Sequence, residues 1–170
     1  MSIVLFGMPL SGKTTIGRKM AKNLSIKHID LDKKIEDSYG DNIYNIFLNL
    51  GEKKFRKIEH DCLKTIKIPS PHILSVGGGA ANKLNYSIIH SYSNRVWLDC
   101  SLSVIFDRFN ISKEKRPLLY NTNSLMTRLE ELYDSRKICF NDLSNIKINT
   151  ASLGEHKIAK EIILKINELN

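Results

Sequence analysis

Lys13 and Thr14 close a run whose residue types suit one chemistry, the binding of phosphate. Gly7-Met8-Pro9-Leu10-Ser11-Gly12-Lys13-Thr14, followed by Thr15, fits the pattern G-x-x-x-x-G-K-[ST]. Gly7 and Gly12 let the backbone turn tightly with no Cβ in the way, so that N–H groups, including that of Ser11, point inward at phosphate oxygens. Lys13 can reach the β- and γ-phosphates, and the Thr14 hydroxyl can ligate Mg²⁺. A helix opening at Gly12 adds the positive end of its dipole. The flanks fit, with apolar Ile3-Val4-Leu5-Phe6 before the loop and amphipathic residues 16–24 after it. A nucleoside triphosphate is the ligand expected here.

Two further clusters carry chemistry. Asp30 and Asp32 flank Leu31, and a strand running through both would put the two carboxylates on one face. One could hold Mg²⁺ while the other accepts a hydrogen bond from a substrate hydroxyl and draws its proton. Asp32 equally suits a helix N-cap ahead of Lys33-Lys34-Ile35-Glu36. Gly77-Gly78-Gly79 carries too large an entropy cost for a helix or an ordinary strand. It reads either as a flexible turn or as a floor where backbone N–H groups and bare Cα atoms meet a small polar ligand.

Positioning these groups requires alternating strands and helices. Apolar runs at residues 3–6, 27–30, 72–76, 95–98 and 145–149 read as strands. Segments 12–24, 33–39, 43–66, 84–92, 102–109, 125–140 and 155–169 read as helices from apolar residues three or four positions apart. Alternating βα units give an α/β fold, a three-layer α/β/α arrangement around a five-stranded parallel sheet. Ligands then sit beyond the carboxyl ends of the strands, where the three clusters fall. Segment 43–66 is too long and charged for a simple crossover helix and is expected to project as an insertion. Residues 110–123 are polar and aperiodic, as a functional loop would be.

The 170 residues suit one domain, burying roughly 70% of the unfolded surface. With 42% hydrophobic and 26% charged residues, the composition is that of a soluble globular chain. No membrane span or signal peptide is evident. Cys62, Cys100 and Cys139 lack metal-ligand spacing, so reduced thiols and a cytoplasmic setting are expected. The formal charge of +8 is dispersed and mixed with acids, as in residues 53–59. This suits small polyanionic ligands better than nucleic acid or a membrane surface.

The chain resembles shikimate kinases. The residues that carry the likeness are Gly7–Thr15, Asp30-Leu31-Asp32, Gly51-Glu52-Lys53-Lys54-Phe55-Arg56-Lys57-Ile58-Glu59, Gly77-Gly78-Gly79 and Arg116-Pro117-Leu118-Leu119. The likeness runs from the first strand to the last helix, and G-E-x-x-F-R-x-x-E is its most specific part. It implies a fold like that of nucleoside monophosphate kinases, with a substrate-binding insertion at about 32–66 and a mobile lid at about 110–123. It implies ATP-dependent phosphorylation of the 3-hydroxyl of shikimate, with Mg²⁺, by a monomer.

The resemblance makes Lys13 and Thr14 the phosphate and metal groups, Asp30 the residue near the metal and Asp32 the one that polarises shikimate hydroxyls. Arg56 and Arg136 become the carboxylate-holding pair, with Gly77, Gly78 and Gly79 lining the same pocket. Arg116 becomes the lid arginine over the transferring phosphoryl group, Arg108 a second arginine near ATP, and Ser75 an outer-shell neighbour of the metal. The adenine-contacting segment falls around residues 149–152. Paired guanidinium donors match a planar carboxylate as no lysine can. Arg116, preceding Pro117, is biased to extended backbone. Phe47 and Phe55 suit packing against a ring or in the core, and Glu59 can tether Arg56 at i+3.

The departures are Leu10 in place of a small residue, His28 in place of an aromatic, read as packing, and Phe140 in place of a tyrosine. The segment from Arg108 to Arg116 is one residue longer than usual. Gluconate or nucleoside monophosphate kinases, and a nucleotide-dependent switch module, are the rival readings.

Overall fold

Every residue of the first strand is buried, which is why Ile3–Phe6 is an unbroken apolar run and not an alternating one. The structure is a computed structural model that describes residues 1–66, 71–112, 118–119, 124–151 and 153–169. Arg116 and most of the expected 110–123 segment lie outside the described residues.

The elements follow in βα order: β1 (Ser2–Phe6), α1 (Lys13–Leu24), β2 (Lys27–Asp30), α2 (Leu31–Tyr39), α3 (Ile43–Lys64), β3 (His72–Ser75), α4 (Tyr86–His90), β4 (Asn94–Asp99), α5 (Leu102–Ile111), α6 (Leu125–Leu143), β5 (Ile146–Asn149) and α7 (Glu155–Leu169). All strand pairs are parallel, in the order β2-β3-β1-β4-β5. One sheet face packs Ile3 and Leu5 against Ile16 and Met20 of α1 and Ile158 and Ile162 of α7. The other packs Val4, Phe6, Leu74 and Trp97 against residues of α2 to α6, among them Ile35, Phe55, Ile105 and Phe140. This is the expected three-layer arrangement.

The register does the positioning. Leu5 pairs with Ser75, and Ser75 pairs with Asp30, so the ends of β1, β3 and β2 form one row across the sheet. The phosphate-type loop, the glycine run and the aspartates leave from that row.

Three local expectations change. β2 has its expected bounds and ends at Asp30, so it does not reach Asp32, which lies in the first turn of α2 and is not its cap. Asp30 is the cap, its carboxylate accepting from the N–H groups of Asp32 and Lys33. The expected helix at 43–66 is α3, broken at Gly51, where φ is 76° and ψ is 163°. A Cβ there would meet nothing within 4 Å, so the glycine serves the backbone conformation and not close packing. The helix expected at 84–92 resolves into a 3₁₀ turn, Lys83–Asn85, leading into the short α4.

Candidate functional site

The loop after β1 is held by its own atoms. Gly12 caps α1 at φ 95°, and a Cβ on Gly7 would lie 2.4 Å from the Leu98 carbonyl oxygen. The Lys13 ammonium donates to the carbonyls of Gly7 at 3.2 Å and Met8 at 2.8 Å, and lies 3.5 Å from Ser11 Oγ. Leu10 sits at φ 60°, a left-handed conformation that costs a leucine on the order of 1 kcal/mol. Arg108 Nη1, from α5, donates to its carbonyl at 2.7 Å and holds it there.

Asp30 ties the loop to the second carboxylate. Its Oδ2 accepts from the Thr14 hydroxyl at 2.6 Å, and its Oδ1 accepts from the Asp32 and Lys33 amides at 3.1 and 3.3 Å. One carboxylate thus fixes both the first turn of α1 and the turn that carries Asp32. Thr14 Oγ1 and Asp30 Oδ2 are adjacent hard oxygen donors on the cleft wall. That donor set fits Mg²⁺, which takes one or two protein oxygens and completes its shell with water and phosphate.

The three glycines form a floor under four charged side chains. Measured from an imagined Cβ, Gly77 lies 3.4 Å from Asp32 Oδ1 and 3.5 Å from Glu59 Oε1; Gly78 lies 3.0 Å from Arg136 Nη1 and 2.7 Å from the Gly7 carbonyl; Gly79 lies 2.4 Å from the guanidinium of Arg56. Arg56 donates through Nε and Nη2 to Glu52 Oε1 at 3.3 and 3.0 Å and through Nη1 to Glu59 Oε2. Phe55 lies beside it, 5.5 Å from guanidinium carbon to ring centroid, and Phe47 packs on Phe55 at 5.4 Å.

Burial dominates the electrostatics. It pushes the Glu59 carboxyl up to about 7, partly opposed by Arg56. For Arg56, burial lowers the pKa, but Glu59 and Glu52 together outweigh it and the net direction is upward. Arg136 goes down to about 10, first from burial and then from the like charge of Arg56. It remains protonated at neutral pH. A half-buried cation repelled by a second cation is a site that favours an anion between them.

These residues share one cleft of about 980 Å³, lined by Gly12, Lys13, Thr14, Thr15, Asp30, Asp32, Arg56, Gly77, Gly78, Gly79, Arg108 and Arg136. That is the upper end of the usual range for small-ligand pockets, about 300–1,000 Å³. Gly7 and the fully buried Ser11, both within the loop, are not among the residues that line the cleft. Nor do Asn149, Thr150 and Ala151, the described part of the segment expected near adenine. Sequence reasoning missed Glu52, whose signal was its i,i+4 spacing to Arg56. It also missed the partner of His28, which is Ser75, 2.9 Å away and 47 residues distant in sequence.

A family model described as Shikimate kinase matches residues 9–167. The chain belongs to the shikimate kinase family. A shikimate kinase from Sulfurihydrogenibium sp. (strain YO3AOP1) is 35% identical over 166 residues, 97% of each chain. Among solved structures, a shikimate kinase from Acinetobacter baumannii in complex with shikimate matches with a TM-score of 0.92 at 27% identity, covering 98% of this chain and 93% of that one. A gluconokinase from Sinorhizobium meliloti 1021 shares the fold alone, with a TM-score of 0.68 at 16% identity over 99% of this chain and 92% of that one.

Two departures from the shikimate kinase pattern gain physical explanations. Leu10 takes the strained conformation that a smaller residue tolerates more easily, secured by Arg108. Phe140 is fully buried against Phe6 and Trp97, at 5.7 Å from each, where a hydroxyl would need a partner.

Proposed function

We propose that the chain transfers the γ-phosphoryl group of ATP to the 3-hydroxyl of shikimate, giving shikimate 3-phosphate and ADP. The carrying observation is that two half-buried arginines, Arg56 and Arg136, meet on a bare glycine floor in the same cleft as the phosphate loop. A planar carboxylate matches the paired donors of a guanidinium, and a small hydroxylated ring fits a floor without side chains. The names of the relatives and the bound ligand of the Acinetobacter structure support the same reading.

In this reading the loop amides and Lys13 take the phosphates, and Arg108 keeps the loop in shape. Thr14 and Asp30 would hold Mg²⁺, which would supply neutralisation of phosphate charge. Arg56 and Arg136 grip the substrate carboxylate, Glu52 and Glu59 hold Arg56 flat, and Gly77, Gly78 and Gly79 let the ring lie close. Asp32 accepts the hydrogen bond of the attacking hydroxyl and takes its proton as the new oxygen–phosphorus bond forms. The bond from γ-phosphorus to the bridging oxygen breaks, and ADP leaves. Arg116, outside the described residues, takes from the resemblance the role of neutralising charge on the phosphoryl oxygens.

The experiment is ADP release measured with and without shikimate in the presence of magnesium, together with Arg56→Ala. Release that depends on shikimate, and a Michaelis constant for shikimate raised at least ~10-fold more than that for ATP in the variant, support the proposal. No shikimate dependence, or equal effects on both constants, overturns it.

A further inference from the structure

Among the described residues, the half-buried His28 has no part in the active-site roles above, yet it is hydrogen-bonded to a residue at the edge of the cleft. His28, on β2, places Nε2 2.9 Å from Ser75 Oγ, at the end of β3. The Ser75 hydroxyl in turn donates to the Lys13 carbonyl oxygen at 3.2 Å. A serine hydroxyl has a single hydrogen, and here it is given to Lys13. The bond to His28 therefore has the imidazole as donor, through Nε2–H. The result is a directed chain from His28 through Ser75 to the backbone of the residue whose ammonium sits in the phosphate loop.

The packing shows that this contact is built in. Helix α1 crosses the histidine at Gly17, where a Cβ would lie 2.6 Å from His28 Nε2, 2.8 Å from Cδ2 and 3.0 Å from Ser75 Oγ. Gly17 is a poor helix residue, yet only a glycine lets the helix rest directly on this pair. The first turn of α1 is thereby fixed from two strands, by Asp30 of β2 at Thr14 and by Ser75 of β3 at Lys13. His28 determines the second of these attachments, because without its N–H the Ser75 hydroxyl is free to turn toward the cleft that it lines.

We propose that His28 is a positioning residue for the nucleotide: its N–H commits the Ser75 hydroxyl to the Lys13 carbonyl and so fixes the turn that presents Lys13 and Thr14 to phosphate. The role rests on the kinase reading of the site, but it acts on the nucleotide half alone.

The test measures ADP affinity in the presence of magnesium, and shikimate affinity separately, by calorimetry on the full chain. The variants are His28→Leu, His28→Gln, Ser75→Ala and the double variant His28→Leu with Ser75→Ala. The loss of one oriented hydrogen bond is expected to weaken ADP binding about fivefold in His28→Leu, with shikimate affinity unchanged. His28→Gln, which can donate from nearly the same point, restores it. Ser75→Ala reproduces the loss, and His28→Leu then adds less than about twofold on top.

ADP affinity unchanged in His28→Leu, glutamine no better than leucine, or the full penalty persisting in the Ser75→Ala background overturns the proposal. If His28→Leu does not fold, Ser75→Ala decides alone: unchanged ADP affinity there overturns the relay, and a fivefold loss confined to ADP supports it. A wild-type chain that binds ADP but not shikimate overturns the proposed function and leaves this inference standing.

Discussion

The guanidinium of Arg56 lies flat against the Cα of Gly79, so close that a Cβ at that glycine would come within 2.4 Å of its central carbon and of both terminal nitrogens. The neighbouring Gly78 is crowded by something less yielding, the Gly7 carbonyl at 2.7 Å. Two adjacent glycines therefore guard different things.

Gly79→Ala should displace the end of a flexible side chain, which costs little stability but spoils the grip on the carboxylate. The expected result is a Michaelis constant for shikimate raised ~10-fold or more, that for ATP unchanged, and thermal stability within about 2 °C of wild type. Gly78→Ala forces backbone from backbone and should lose ~2 kcal/mol or more in urea denaturation. Equal stability losses in the two variants would count against this division.

Glu59 gives the pH dependence a definite sign. Its carboxyl titrates near 7 in the fold, against an ordinary value of 4.5, because burial penalises its charge. Between those values the folded state holds more protons than the unfolded state, so this group's contribution to stability falls as pH rises. His28, lowered chiefly by burial from its ordinary 6.5, gives the opposite slope below that value. The difference between wild type and Glu59→Gln isolates the carboxyl. Wild type should lose ~1–3 kcal/mol relative to the variant from pH 4.5 to 7.5, measured by urea denaturation. A pH-independent difference would remove the assignment.

Asp30 performs two tasks that substitutions can separate. Asn keeps an oxygen to cap α2, whereas Ala removes it, so Asp30→Ala should be ~1 kcal/mol less stable than Asp30→Asn. Both variants lose the carboxylate beside Thr14, and both should need at least ~10-fold more magnesium for half-maximal activity. Isothermal denaturation and a magnesium titration check the two halves independently.

Gly17→Ala reverses a general rule. Alanine inside a helix normally stabilises by up to ~1 kcal/mol over glycine. Here the new methyl would strike His28 and Ser75, and the expected outcome is a net loss of ~1–2 kcal/mol, read from thermal melts. A raised melting temperature would show that α1 can lift off the sheet at no cost.

What could be read from the chain and what could not divide along physical lines. Strand β2 and helix α7 have the bounds that periodicity gave them, because both signals are local. The phosphate loop was legible because strand, glycines, lysine and helix are contiguous. The capping role was harder: Asp32 had the spacing of a cap, but Asp30 holds the position, since the strand ends one residue before Leu31, where backbone geometry alone decides. The break at Gly51 was hidden in a continuous helical pattern, as the residues on both sides keep their period. Least legible were the contacts of His28 with Ser75 and of Gly79 with Arg56. They depend on strand register and on helix placement, which no local window encodes.

The loop's own backbone can hold its lysine, whose ammonium donates to the carbonyls of Gly7 and Met8. A phosphate that engages this cation consequently competes with two backbone carbonyls for it. Only a ligand carrying concentrated negative charge offers the cation better terms than two backbone dipoles do. The competition favours a ligand of high charge density over a monoanion such as chloride.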